Sequence, residues 1–383
     1  MKRVECLDGL RGLPALWVLL GHAMILTGFR LPLISKPDLG VDLFILLSGF
    51  LMVFQYRLRS RFEDWHHPRV WISFWVRRLF RIAPLFYVTL AAALIAGPLL
   101  YADRVAIDTF LGQPLQDPER YLDASLANIA MHLTFLFGLF PAYAFRTPLP
   151  DWSLGLEMQF YLAFPLLILI AGRIGWMTMA LVAALCAIMI AEAAGYVGLD
   201  YPMPSFLPLK MHLFLCGMLI AADTKGSRAR LQLHFLTASL LALVPLGGAT
   251  DFLHLAVREA IVMAFFALIH MRNFTAVDVA ANLLGSRPLH WMGELSYGAY
   301  LIHLLVLQPL AAAAITQFGT DIGAAARFTL VTVILIPVTY GLAYVTYRLV
   351  ELPGQRLGKT ILARATGKKA PARQVLPEEL AAP

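Results

Sequence analysis

Apolar runs long enough to cross a bilayer, separated by short polar stretches, recur along the whole chain. They predict about ten transmembrane helices, near residues 10–29, 40–57, 76–101, 151–171, 176–197, 206–223, 231–248, 253–271, 293–317 and 326–349. A further stretch at 128–140 (NIAMHLTFLFGLF) is too short to cross and reads as a re-entrant or interfacial segment. The fold class expected is an all-α, polytopic membrane protein, since only helices satisfy every backbone polar group inside a single apolar segment. The opening run is not a cleavable signal: Asp8 and Arg11 interrupt it, and no small-residue cleavage site follows. Beyond about residue 360 the text GKKAPARQVLPEELAAP has no apolar periodicity. The expected division is a membrane domain over 1–355 and a disordered cytoplasmic tail over 356–383.

Composition supports this reading. Of 383 residues, 59% are hydrophobic and 14% charged, and the mean hydropathy is +0.70, well outside the soluble range. The net charge of +7 is distributed unevenly. With a cytoplasmic N-terminus and ten crossings, Lys2, Arg3, Arg57, Arg59, Arg61, Arg69, Arg77, Arg78, Arg81, Arg173, Lys225, Arg228, Arg230, Arg272, Arg287 and the basic run from Arg348 onward all fall inside. The outer side keeps only Arg30, Lys36, Arg104, Arg120, Arg146, Lys210 and Arg327. The positive-inside rule therefore predicts both termini in the cytoplasm. The isoelectric point near 9.4 then reflects topology; no nucleic-acid motif accompanies it, so no nucleic-acid partner is expected. Cys6, Cys186 and Cys216 fit neither a metal nor a disulfide spacing, so no metal site is expected.

Several polar residues interrupt the predicted spans, where charge is costly and marks function by default. In the first span, Asp8, Arg11, Ala15 and His22 fall on one helical stripe, with Arg11 and His22 roughly 16 Å apart along the axis. Either Arg11 snorkels and His22 bonds a neighbouring helix, or the stripe lines a buried reaction site. In GVDLFILLSGFLM, Asp42 would lie at the outer mouth and Ser48 deeper. Ser48 and Gly49 serve either close helix packing or the approach of a ligand. Arg78 and Arg81, one turn apart in RRLFRIAP, are either topological anchors or a polyanion site, for which paired guanidinium forks are well suited.

The segment DWSLGLE opens the fourth span with Trp152 as an interface anchor, Ser153 beside it and Glu157 about two turns in. Counted along their helices, Glu157 and His22 fall at the same depth, on the order of 9 Å below the outer edge. They form either an acid–base pair or a structural ion pair. In SYGAYLIH, Ser296, Tyr300 and His303 share a face, and Tyr297 sits beside them; the four are candidates to line a cavity. Glu351 in VELP reads as a local salt bridge with neighbouring arginines.

Taken in order, DGLRG with Arg11-x10-His22, GVDLFILLSGFLM, RRLFRIAP, DWSLGLE, SYGAYLIH and VELP resemble the acyltransferase-3 family of integral-membrane acyltransferases over residues 8 to about 353. The resemblance implies an O-acyltransferase of the bacterial cytoplasmic membrane. Such an enzyme moves an acyl group, usually acetyl, from cytoplasmic acyl-CoA to a hydroxyl of a carbohydrate or other small acceptor. It implies no permanently bound cofactor; acyl-CoA is a co-substrate, and the partners are lipid, donor and glycan acceptor, with oligomeric state left open. Position by position, His22 matches the family's essential histidine, Arg11 its basic partner, and Arg78 and Arg81 the donor-binding Arg-x-x-Arg pair. Some relatives carry an added extracytoplasmic domain that has no counterpart within this sequence.

Two uses of His22 follow, as general base on the acceptor hydroxyl with Glu157 as its orienter, or as the carrier of a covalent acyl group. The rival class is a multi-span transporter or flippase of a glycan or small molecule, although no internal repeat relates the two halves. Acceptor choice is expected in the outward loop between about 102 and 150, where Asp117, Tyr121, Asp123 and Tyr143 could meet sugar hydroxyls.

Overall fold

A computed structural model describes residues 2–222, 227–248 and 250–365. The chain opens with α1 (Lys2–Thr27), returns as α2 (Pro37–Arg59) and then follows one unbroken helix, α3 (Pro68–Leu111). Two short helices, α4 (Glu119–Leu122) and α5 (Leu126–Leu133), and a 3₁₀ turn at Leu136–Leu139 precede α6 (Trp152–Ile174). Next come α7 (Trp176–Tyr196), α8 (Leu207–Ala222), α9 (Arg228–Ala242) and α10 (Phe252–His270). Short α11 (Thr275–Leu284) and α12 (Arg287–Glu294) lead into α13 (Ser296–Phe318) and α14 (Ala324–Thr346). A π turn (Tyr347–Glu351) joins α14 to α15 (Leu352–Ala365). Among the described residues, eight helical runs are long and apolar enough to span a membrane. The protein is an all-α, multi-pass membrane protein.

Local chemistry accounts for the ends of these helices. Pro37 and Pro68 occupy first-turn positions, where their missing N–H costs nothing. Ser125, Ser227 and Asp251 each accept a hydrogen bond from the third residue beyond them and so cap α5, α9 and α10. Gly112 ends α3 in the left-handed region. Prolines persist inside α1, α3, α6, α13 and α14, as membrane helices permit when neighbours satisfy the freed carbonyls.

The centre of the bundle is α8, whose residues from Lys210 to Ala222 are all buried. Such an all-round apolar helix belongs in a core and not at a lipid face. It lies tightly against α2. A Cβ on Gly217 would stand 2.0 Å from the Leu46 carbonyl oxygen, and one on Gly49 would stand 2.1 Å from that of Phe214. Only glycine allows this crossing. Around this pair, α1 packs on α2, α12, α13 and α14, while α13 also meets α3. These crossings bring α1, α2, α3, α6 and α13 around common interior space.

The helices differ from the predicted spans in four places. α3 continues to Leu111, so Arg104 and Asp108 belong to this helix, and the following segment starts near residue 112. The spans expected at 206–223 and 231–248 are shorter helices of 16 and 15 residues. The ninth span is broken at Leu295, where α12 gives way to α13. Residues 356–365, expected to be disordered, form part of amphipathic α15, and a Cβ on Gly358 would meet Phe80 of α3. Packing against α3 supplies the order that the polar composition alone does not. The remainder of the expected tail, 366–383, lies outside the described residues.

Candidate active site

Three adjoining cavities thread the bundle and share lining residues. The first lies toward the end of α1 at which the chain starts. Arg11 of α1, Ser48 and Gln55 of α2, Arg78 and Arg81 of α3, Glu157 and Tyr161 of α6, and Tyr297 of α13 form its wall. Arg78 donates to Gln55 Oε1, and its guanidinium lies 5.4 Å from the Tyr161 ring centroid and 5.7 Å from that of Phe74. Glu157 accepts from Ser48 Oγ at 3.0 Å and from the Tyr161 hydroxyl one turn on. Tyr297 donates to the Ile82 carbonyl at 2.7 Å. Among the described residues, none of the ion pairs involves Arg11, Arg78 or Arg81. Three guanidinium groups thus converge with their neighbouring carboxylate already engaged by hydroxyls, which suits a polyanion.

The second cavity continues from the first, sharing Arg11, Ser48, Glu157 and Tyr297, and adds Ser153, Ser296 and Tyr300. The Tyr300 hydroxyl bonds the Pro150 carbonyl at 2.7 Å and Ser153 Oγ at 2.7 Å. A carbonyl only accepts, so Tyr300 donates to Pro150 and Ser153 donates to Tyr300. Ser296 Oγ is turned back to the Gly293 carbonyl at 2.8 Å.

Tyr300 and Val41 also line the third cavity, which holds His22. Its other polar walls are Asp38, Arg104, Arg120, Tyr121 and Gln308, with Trp152 and Phe145 as aromatic surfaces. At about 160 Å³, against about 60 and 90 Å³ for the first and second, it is the widest of the three. His22 Nδ1 lies 3.0 Å from His303 Nε2, and His303 Nδ1 lies 2.6 Å from the Tyr300 carbonyl oxygen. The carbonyl fixes the tautomers of both rings. His303 Nδ1 must carry hydrogen to donate to Tyr300, which leaves His303 Nε2 as an acceptor. His22 Nδ1 then donates to His303, and the lone pair free for chemistry is on His22 Nε2.

The pairing of His22 with Glu157 is therefore corrected. His303 is the partner of His22, and Glu157 belongs to the arginine cavity on the other side of Tyr300. Equal depth on two helices does not place two side chains on facing sides. Asp42 is also displaced from the cavity lining expected for it: it is 2% exposed and pairs with Lys210 Nζ at 2.5 Å and Arg258 Nε at 2.6 Å. Asp8 lines none of the three cavities and sits 3.7 Å from His290. Glu351 is buried, its Oε1 has no hydrogen-bond partner, and among the described residues it forms no ion pair, which corrects the local salt bridge with neighbouring arginines expected for it.

The two residues of the Ser48–Gly49 pair differ in surroundings: Gly49 carries the helix crossing, and Ser48 lines the first and second cavities. Sequence reasoning left out Gln55, Tyr161, Arg104, Arg120 and Gln308. Two of them had a signal, because Tyr161 follows Glu157 by four residues and Gln308 continues the Tyr300 stripe by eight.

A family model for an acyltransferase domain (acyltransferase-3) matches residues 4–348, nearly the whole chain. The chain belongs to the acyltransferase-3 family. This acyltransferase-3 chain is similar to nodulation protein 10 of Rhizobium leguminosarum bv. viciae, 28% identical over 91% of this chain and 90% of that protein. It is similar to the acyltransferase MdmB of Streptomyces mycarofaciens, at 25% identity over 80% of this chain and 79% of the relative. A Bacillus subtilis protein provisionally named a peptidoglycan O-acetyltransferase is 26% identical over 80% of this chain, which spans about half (49%) of that relative's length. No solved structure matches the acyltransferase-3 chain.

Proposed function

We propose that this protein is a membrane O-acyltransferase that moves an acyl group, acetyl in the first instance, from acyl-CoA to a hydroxyl of a carbohydrate acceptor. One observation carries the reading: the arginine cluster and His22 line two cavities flanking a middle one that shares Arg11 and Glu157 with the first and Val41 and Tyr300 with the other. Lys and Arg concentrate at the end holding the chain's start, so that end faces the cytoplasm in this reading. The phosphates of acyl-CoA then stay at Arg11, Arg78 and Arg81, since they cannot enter lipid. Only the uncharged pantetheine arm and thioester extend along the Ser153–Tyr300 wall. The acceptor enters from the other end and meets His22. The relative provisionally named a peptidoglycan O-acetyltransferase supports a glycan acceptor.

In the chemical step, His22 Nε2 takes the acceptor hydroxyl proton as the oxygen attacks the thioester carbonyl. The C–O bond forms, the C–S bond breaks, and the departing thiolate takes a proton back from the imidazolium. His303 holds His22 in the tautomer this step needs and spreads the charge that develops on the imidazolium. Membrane vesicles turned inside out and given labelled acetyl-CoA test the proposal. Label should appear in the glycan fraction, and His22→Ala should lower incorporation by about 10²–10⁴-fold. Accumulation of acceptor without acylation would instead favour a carrier.

A further inference from the structure

Arg120 lies at the start of the segment between α3 and α6, outside the membrane-spanning helices, and lines the His22 cavity. Its guanidinium is fixed entirely by neutral groups. Nε donates to the Thr147 carbonyl at 3.3 Å and Nη1 to Gln116 Oε1 at 3.1 Å, while the plane lies 3.7 Å from the Phe145 ring centroid. Among the described residues no carboxylate forms an ion pair with it. Burial holds Arg120 below its ordinary pKa, opposed by Tyr121 and by the more distant Asp151 and Asp108, while Arg104 adds to the lowering. Arg104 lines the same cavity and is paired with Asp108 at 2.9 Å. A guanidinium oriented so firmly by neutral partners, with no carboxylate bonded to it, is the arrangement that recognises an oxyanion.

We infer that the His22 cavity takes an acceptor carrying a carboxylate or phosphate close to the hydroxyl that is acylated, and that Arg120 binds that anion. The inference rests on the acyltransferase reading above. Donor phosphates are not the natural occupant, because they have their own three-arginine site on the other side of Tyr300. Arg120 and His22 share one cavity, so the anion and the reacting hydroxyl belong to the same sugar unit or to directly bonded neighbours.

The test uses inside-out vesicles from cells producing the full chain, labelled acetyl-CoA and the cells' own glycan. Mass spectrometry of the product should place the His22-dependent acetyl group on, or next to, a unit bearing an anion. A uronic-type carboxylate and a phosphate are distinguished by mass, and a phosphate of a lipid carrier by its loss when the glycan is released. Arg120→Gln should raise the KM for acceptor about 10- to 100-fold with kcat at saturation largely kept. In detergent-solubilised full-length protein, where both ends are reachable, inorganic phosphate should compete with acceptor in the unaltered protein and lose that effect in Arg120→Gln.

An acetylated unit that is neutral, with no anion on its neighbours, overturns the inference while leaving acyl transfer intact. So does an unchanged acceptor KM in folded Arg120→Gln. If the variant does not fold, the product's structure in the unaltered protein decides alone. Absence of any His22-dependent acetylation removes the acyltransferase reading, and this inference with it.

Discussion

Replacing His303 separates positioning from simple packing around His22. In His303→Ala, His22 Nδ1–H loses its acceptor at 3.0 Å in a place where water does not readily replace it, since His303 is 0% exposed. Leaving a buried donor unmet costs about 1–3 kcal/mol, which at about 1.36 kcal/mol per decade is about 5- to 150-fold. That cost falls on the tautomer with a free Nε2 lone pair, so the population able to take the hydroxyl proton drops accordingly. The expected result is a kcat lower by about 10- to 100-fold, smaller than the loss in His22→Ala, with the KM for acetyl-CoA unchanged because the arginine cavity is untouched. His303→Gln retains a side-chain carbonyl that can accept from His22 and should recover most of the loss. Initial rates of label transfer in vesicles, at several acetyl-CoA concentrations, measure both parameters, and detergent size exclusion confirms folding. Wild-type turnover in folded His303→Ala would refute the tautomer argument. Equal loss in Gln and Ala variants would reduce His303 to a packing residue.

Arg78→Ala and Arg81→Ala should raise the KM for acetyl-CoA, and Arg81→Lys should restore only part of it because the bidentate fork is lost; an unchanged KM in the double Ala variant makes the pair a topological anchor. Asp42→Asn leaves Lys210 and Arg258 buried without their shared carboxylate; this should cost about 3–5 kcal/mol and lower the melting temperature in detergent without a selective effect on donor KM. Gly217→Val forces side-chain atoms onto the Leu46 carbonyl, from which even a Cβ would be 2.0 Å away, so folded yield should fall sharply, while Gly172→Ala, with open space around it, should be tolerated.

Much of this protein is legible along the chain because a bilayer imposes a one-dimensional rule. Hydrocarbon tolerates only apolar helical segments of sufficient length, so hydropathy alone yields an all-α, multi-pass protein. It also marks Arg11, His22, Arg78, Arg81, Glu157 and Tyr300 as exceptions in need of a reason. Helical spacing put Tyr300 and His303 one turn apart, and their rings lie 6.0 Å from each other, since periodicity is a property of a single helix, although His303 is not among the residues lining the three cavities. The same tool failed wherever two helices had to be related. His22 and Glu157 sit at similar predicted depths, yet they line different cavities, and it is Trp152, five residues before Glu157, that α6 brings to the cavity of His22.

Which side chains meet follows from contacts between elements distant in sequence. Gly49 against Phe214 and Gly217 against Leu46 bring α2 and α8 into backbone contact, and Lys210 and Arg258 draw Asp42 into the bundle and away from the mouth. Order in residues 356–365 likewise comes from α3 lying alongside, a surface their own polar composition cannot disclose. Arg104 and Arg120 look like scattered outer charges until the extended α3 and the folded 112–151 segment carry them to the wall of the His22 cavity. Sequence determined the architecture and marked the polar residues inside the spans, because burial in lipid selects residue types one position at a time. Tertiary structure alone decided which of them meet, because that depends on how close two backbones can approach and at what angle they cross.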